Sequence, residues 1–220
     1  MPVKAVIFDM DGVIVESEHL WDQAREELVK ETGGRWGAGA QTAMMGMASH
    51  EWSVYVRDEL QVPLSAEEIS TRVVARLEAL YREDLPLIDG AADAVKAASE
   101  HWPVAIASSS NRELIDLIAE LAGIEPALTT TVSSEEAGRG KPAPDVFLHA
   151  AGNLGADPFD CVVIEDSANG IRAAVAAGMP VIAAPNRDFP PPPEVLEIAT
   201  LVVDRVAEVT PAIIEKAGNE

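Results

Sequence analysis

The sequence predicts an α/β fold, and three observations carry that prediction. From residue 84 onward, short apolar runs alternate with helix-type segments. Those runs are continuously apolar, the pattern of strands in a parallel sheet covered on both faces. A purely helical stretch, residues 17–83, interrupts the alternation just after the first strand. Two lobes follow: a core from residues 1–16 and 84–220, and a helical cap from residues 17–83.

Taken in order, residues 3–8 read as a buried strand that ends in Asp9 and Asp11. After Gly12 the period becomes helical, with Leu20, Ala24 and Leu28 four apart and Gly33-Gly34 as a stop. A small-residue loop leads to "SHEWSVYVRDEL", where Trp52, Tyr55, Val56 and Leu60 share a face. "SAEE" at 65–68 is a capping box that opens a third helix, with Ile69, Val73, Leu77 and Leu80 on one side. Past the cap, an Ala-rich helix covers 91–100, and "VAIA" at 104–107 is a strand ending in "SSSN". A helix over 111–122 precedes the β-branched segment in "ALTTTVSSE", and "KPAPDVFLHAAGNLG" is a helix opened by prolines. "CVVIEDSANG" begins as a strand, "IRAAVAAG" is a helix closed by Gly178, and "PVIAAP" is another strand. "PPPP" at 190–193 is a stiff turn into the helix "EVLEIA". "LVV" at 201–203 is a candidate edge strand before a last helix.

Composition bounds the function. The chain has 220 residues, 48% of them hydrophobic, enough for one ordinary core and a smaller second lobe. No run of about 18 apolar residues marks a membrane span, and the N-terminal apolar run is short and ends in Asp rather than in a leader pattern. A soluble cytoplasmic monomer with no membrane partner is expected. Cys161 is the only cysteine, so no internal disulfide forms, and its apolar setting suits an inert buried thiol. The formal net charge of −21 repels phosphate backbones, so nucleic acid is excluded as a partner. If the substrate is an anion, something local must overcome that field.

The chemistry collects at strand ends, where open parallel sheets bind ligands. The first strand ends in Asp9 and Asp11, the "VAIA" strand in Ser108, Ser109, Ser110 and Asn111, and the "CVVI" strand in Glu165 and Asp166. Lys141 stands just before the proline-opened helix. Several carboxylates on one rim cannot all stay ionised without a cation. Oxygen ligands alone select a hard ion such as Mg²⁺, which with Lys141 makes a local positive site. A carboxylate can attack phosphorus, and a second carboxyl can protonate the leaving oxygen and then activate water. On this division of labour Asp9 is the nucleophile and Asp11 the acid/base, and Gly12 permits the tight turn behind them.

"FDMDG", "ASSSN", "GKPAPD" and "IEDSANG", in that order, resemble the four motifs of the haloacid dehalogenase superfamily of hydrolases, and the resemblance covers essentially the whole chain. It is similar to the phosphatase and β-phosphoglucomutase-like branch. The resemblance implies a Rossmann-like parallel sheet with a small helical cap inserted after the first strand. It also implies an aspartyl-phosphate on Asp9, general acid/base work by Asp11, phosphate binding by Ser108 and the Ser109 backbone, and Lys141 steadying nucleophile and phosphate. Mg²⁺ would be held by Asp9, Asp11 through its backbone carbonyl, and Asp166, with Glu165 in direct or water-mediated support.

Departures within the family narrow the reaction. Dehalogenases lack the second aspartate, which is present here as Asp11. Phosphonate-cleaving relatives use a cap lysine, and Lys30, the only lysine in residues 17–83, falls in the first cap helix instead. β-Phosphoglucomutases carry a histidine near the position of Trp21 and an arginine near that of Ser49. "SEHLW" looks more like the Ser-Glu-Pro-Leu-Trp of sugar-phosphate phosphatases. The expected activity is hydrolysis of a small phosphorylated metabolite of sugar or polyol type, with phosphomutase as the alternative. The entrance to the site is expected at "MMGMAS", residues 44–49, with Gly46 as a substrate-binding position; its methionines either adapt to substrate or simply fill the cap core. No arginine cluster for a second anionic group is evident.

Overall fold

The computed structural model describes residues 2–44, 47, 49–187 and 189–220; the Gly46 position expected from sequence lies outside them. Among the described residues the strands are β1 (Ala5–Phe8), β2 (Val104–Ser108), β3 (Thr130–Ser133), β4 (Cys161–Glu165), β5 (Val181–Ala183) and β6 (Leu201–Val202). They form one parallel sheet in the order β3-β2-β1-β4-β5-β6. The sheet is an α/β Rossmann-like arrangement with β1 near its centre, Ile7 lying level with Ala105 on one side and Val163 on the other.

Alternation along the strands splits the core in two. Val6, Phe8, Val104, Ile106, Val162 and Ile164 face one layer, while Ala5, Ile7, Ala105, Ala107 and Val163 face the other. All of them are fully or almost fully buried, each large aliphatic one worth about 1.5–3 kcal/mol against exposure. Four helices precede β2 in the interrupting stretch: α1 (Glu18–Glu31), α2 (Ala40–Met44), α3 (Ser49–Asp58) and α4 (Ala66–Glu83). The remainder are α5 (Ala91–Ser99), α6 (Arg112–Leu121), α7 (Ser134–Ala137), α8 (Asp145–Leu154), α9 (Ala168–Ala176), α10 (Pro193–Leu196) and α11 (Pro211–Asn219). Helices α5, α6 and α11 cover the Phe8 face, and α8, α9 and α10 the Ile7 face. No described helix is long and apolar enough to cross a membrane.

Local differences from the sequence reading have simple causes. The buried side of α4 ends on Tyr81 rather than Leu80, because Ile69, Val73, Val74 and Leu77 set the stripe one residue further round. The helix after Lys141 starts only at Asp145, so both prolines lie in its lead-in. The last proline of "PPPP" and the three residues after it form a single turn, α10. Cys161 is buried, and burial lifts its thiol to about 11, consistent with an inert side chain.

The chain leaves the sheet for α1 and returns to it by adjacent paths. Glu16 N–H donates to Pro86 O at 2.8 Å and Ile88 N–H to Ile14 O at 2.9 Å, around an antiparallel bridge between Val15 and Leu87. At the start of α4 the Ser65–Glu68 capping box is complete. Ser65→Ala is expected to lower stability by about 1 kcal/mol, read as a lower urea midpoint at unchanged slope. An unchanged midpoint would show that the box contributes nothing to α4.

Candidate active site

Connections leave β1 toward β2 on one side and arrive at β4 on the other, so a crevice opens at the carboxyl end of β1. Asp9 is the first residue past that strand, and its N–H donates to Ile164 O at 2.9 Å, which fixes it to the sheet. Lys141 reaches in from before α8. Its Nζ donates to Asp9 Oδ1 at 2.7 Å, to Glu165 Oε1 at 2.8 Å and to Ala107 O at 3.3 Å. It also sits 4.7 Å from the centre of the Phe147 ring. All three charged groups are buried, so each depends on the others.

Glu165 is held from its other side as well. Ser167 donates to Glu165 Oε2 through its N–H at 2.7 Å and its hydroxyl at 3.0 Å, and the same hydroxyl caps α9 by accepting from Gly170 N–H. Two glycines make room for the acids. A Cβ on Gly12, whose φ is +81°, would lie 2.0 Å from Asp166 Oδ2. A Cβ on Gly170 would lie 1.4 Å from Glu165 Oε1.

Asp11 is cradled by side chains from three segments. Ser17 and Trp21 Nε1 donate to its Oδ1, the latter at 3.2 Å. Ser108 and Ser110 hydroxyls donate to its Oδ2 at 3.2 and 2.7 Å. The Ser109 hydroxyl is buried with no partner among the described residues. Asn111 ties this loop to the helical stretch, accepting from Ser49 Oγ at 2.8 Å while donating to Glu135 at 2.8 Å.

The electrostatics follow from burial. Burial pushes Asp9 up to about 7; Lys141 pulls against this, while the charges of Glu165 and Asp11 add to the rise. Asp166 is lifted well above the ordinary carboxylate range by burial, then by Glu165 and Asp9. Burial disfavours the Lys141 ammonium, yet its two carboxylate partners outweigh that and hold it above the usual lysine value.

An oxygen from each of Asp9, Glu165 and Asp166 lies within 4.8 Å of the others, and Asp166 Oδ1 is buried with no hydrogen-bond partner among the described residues. Three buried carboxylates against one lysine cannot all be ionised without further positive charge. The donors are hard oxygens, so a divalent cation that prefers oxygen fits.

Asp9, Asp11, Ser108, Ser109, Lys141 and Asp166 line one cavity of about 230 Å³, with Glu165 just behind Lys141. Sequence reasoning did not single out Ser17 and Ser110, which hold Asp11, or Glu18 and Arg25, which line the cavity from α1. Ser110 belongs to the "SSSN" run, so its place was visible though its contact was not. The proline turn at 190–192 is also cavity wall, beside Phe189.

Comparison with known proteins shows the family. The family model for haloacid dehalogenase-like hydrolases matches residues 3–178. Hexitol phosphatase B of Escherichia coli (strain K12) is 34% identical over 189 residues, covering 83% of this chain and 84% of that protein. Among solved structures, CbbY from Rhodobacter sphaeroides in complex with phosphate superposes with a TM-score of 0.85 at 24% identity, over 96% of this chain and 99% of that one. A β-phosphoglucomutase from Clostridium difficile gives 0.83 at 22% identity, over 99% and 97%. At those identities the structures speak for the fold alone.

Gly170→Ala tests how rigidly Glu165 is placed. The added methyl must displace a buried carboxylate that holds Lys141, so a loss of roughly 3 kcal/mol is expected in urea unfolding. Wild-type stability in this variant would show that Glu165 has another place to go.

Proposed function

The chain belongs to the haloacid dehalogenase-like hydrolase family, and we propose that this phosphoric monoester hydrolase acts on small sugar or polyol phosphates through an aspartyl-phosphate on Asp9. The observation that carries the reading is the buried Asp9–Lys141–Glu165 line at the end of the central strand, with Asp166 Oδ1 beside it, buried and without a hydrogen-bond partner among the described residues. The name of the hexitol phosphatase relative supports the substrate class.

The first step needs Asp9 ionised and facing the phosphorus. Its carboxylate oxygen bonds to phosphorus as the bond to the leaving alkoxide oxygen breaks, and Asp11 in its acid form gives that oxygen a proton. In the second step Asp11, now a carboxylate, takes a proton from water as the water oxygen bonds to phosphorus. The bond between phosphorus and Asp9 breaks, which releases phosphate and restores the Asp9 carboxylate. Ser17 and Trp21 keep Asp11 aimed throughout. Ser108 and Ser109 offer donors to the phosphoryl oxygens, and Lys141 neutralises charge on Asp9 and on the phosphoryl group.

Mg²⁺ would be held by Asp9, Asp166 and the Asp11 backbone carbonyl, and would supply the positive charge that keeps buried carboxylates ionised beside an anionic substrate. Both Glu165 oxygens already serve Lys141 and Ser167, so Glu165 acts as an outer counter-charge. Residues 17–83 work as a cap that closes over each cycle and screens the intermediate, with the Ser49–Asn111 bond as one closed-state contact. The mutase alternative gains nothing from the positions that would serve it, because Trp21 donates to Asp11 and Ser49 to Asn111.

Phosphate release from a panel of sugar, polyol and short-acid phosphates, with Mg²⁺ and with EDTA, tests the reading. Mg²⁺-dependent release from a subset is expected; interconversion of a hexose phosphate that requires a bisphosphate would replace hydrolysis with mutase chemistry. In Asp9→Asn, turnover should fall at least roughly a thousandfold while the protein still folds and unfolds cooperatively. Rates near wild type in that variant would exclude Asp9 as nucleophile.

A pH effect follows from the raised carboxyls. An acid whose folded pKa lies above its unfolded value costs stability as pH rises between the two. Without metal, Asp9 contributes such a loss from near 3.8 up to about 7, and Asp166 acts in the same direction. The thermal stabilisation given by Mg²⁺ should therefore grow as pH rises through that window, because binding displaces these protons. A pH-independent stabilisation would place the ion elsewhere.

A further inference from the structure

The cap side of the cavity carries two charged groups that catalysis does not use. Arg25 is only 6% exposed, although its side chain carries a charge. Its guanidinium carbon lies 4.6 Å from the centre of the Trp21 ring and 4.8 Å from that of Trp52, so the two indoles hold it in place. Its Nε is buried without a partner, and among the described residues Arg25 makes no ion pair or hydrogen bond. Glu18 lies two turns earlier on α1, on the same face, and lines the same cavity. It too makes no hydrogen bond or ion pair among the described residues, and the two groups are not in salt-bridge contact with each other.

Buried charges are normally paired. Here the buried Arg25 fork and the half-buried Glu18 carboxyl, which burial and the charge of Asp11 push up to about 7 against the pull of Arg25, face the space next to Asp9 and Lys141 with no salt bridge between them. A second carboxylate or phosphate on the ligand would satisfy Arg25 but face Glu18, and an ammonium would do the reverse. A run of hydroxyls satisfies both, since each can accept from Arg25 and donate to Glu18. We propose that Arg25 and Glu18 are the specificity-determining pair of the cap, gripping the hydroxyls of a sugar or polyol chain whose phosphoryl end lies at Asp9. This rests on the phosphatase reading above and narrows its substrate to polyhydroxylated monoesters without a second anionic group.

The test compares glucitol 6-phosphate, 6-phosphogluconate and 4-nitrophenyl phosphate as substrates of wild type, Arg25→Met, Arg25→Lys and Glu18→Gln. The melting temperature of each protein is recorded, and kcat and KM are separated. In Arg25→Met and Glu18→Gln, the loss of kcat/KM for glucitol 6-phosphate should exceed the loss for 4-nitrophenyl phosphate by roughly tenfold or more, mostly through KM. Arg25→Lys keeps a cation between the indoles but lacks the fork, and should fall with Arg25→Met; it also serves if the methionine variant does not fold. Equal losses on the two substrates would overturn the proposal. So would a wild-type preference for 6-phosphogluconate over glucitol 6-phosphate that Arg25→Met erases, because that is the signature of an anion site. Binding of glucitol 6-phosphate to Asp9→Asn, followed by tryptophan fluorescence with and without Arg25→Lys, reads the contact without turnover. Binding weakened by the second change supports the pair, and no binding, or binding unchanged by it, overturns the proposal. If wild type releases no phosphate from any substrate, the phosphatase reading fails while this titration still decides on Arg25.

Discussion

Lys141 between Asp9 and Glu165 is the interaction on which the rest of the site depends. The lysine and both carboxylates are buried, and removing any one would strand the others in a low-dielectric interior. The sheet supplies the rigidity this needs. Asp9 is fixed by a ladder bond one residue past β1, Glu165 is the last residue of the neighbouring β4, and Ala107 of β2 offers its carbonyl to the same ammonium. Three adjacent parallel strands therefore converge on one lysine. What the line leaves over is Asp166, whose ionised form is disfavoured by burial and by Glu165 and Asp9 and whose Oδ1 has no partner among the described residues, and that makes the site receptive to a cation.

The local backbone serves the same end. Gly12 and Gly170 are the places where the main chain passes so close to a carboxylate that no side chain fits. Ser167 stabilises Glu165 and caps α9 with one hydroxyl, so placing the acid and starting the helix are one event. Asp11 is different in kind. Its partners come from the loop after β2, from the entry to α1 and from α1 itself, so its orientation depends on where the helical stretch sits. Asp9 thus belongs to the rigid sheet, and Asp11 to the junction between the sheet and the helical stretch.

Much of this was legible in the sequence, for a physical reason. Strand ends of an open parallel sheet must gather at one edge, so Asp9, Ser108, Glu165 and Asp166 could be brought together from the order of apolar runs alone. The capping box at Ser65 was readable because its two partners are three residues apart. Contacts between distant segments were not readable. Nothing local marks Ser17 and Ser110 as partners of Asp11, and Arg25 reads as an ordinary polar position on an amphipathic helix until Trp52 of α3 is set against Trp21. The one-turn α10 was overread because "EVLEIA" has helical composition, and the tertiary packing retains only its first turn.

The central claim is that Asp9 becomes covalently phosphorylated. Acid quenching during turnover of a phosphomonoester with Mg²⁺, followed by mass spectrometry of the fragment spanning residues 3–18, tests it most directly. The account predicts a phosphoryl adduct on Asp9 that disappears when substrate is exhausted. Brisk phosphate release with no adduct on Asp9 at any time in the pre-steady state, or an adduct on another side chain, would contradict it.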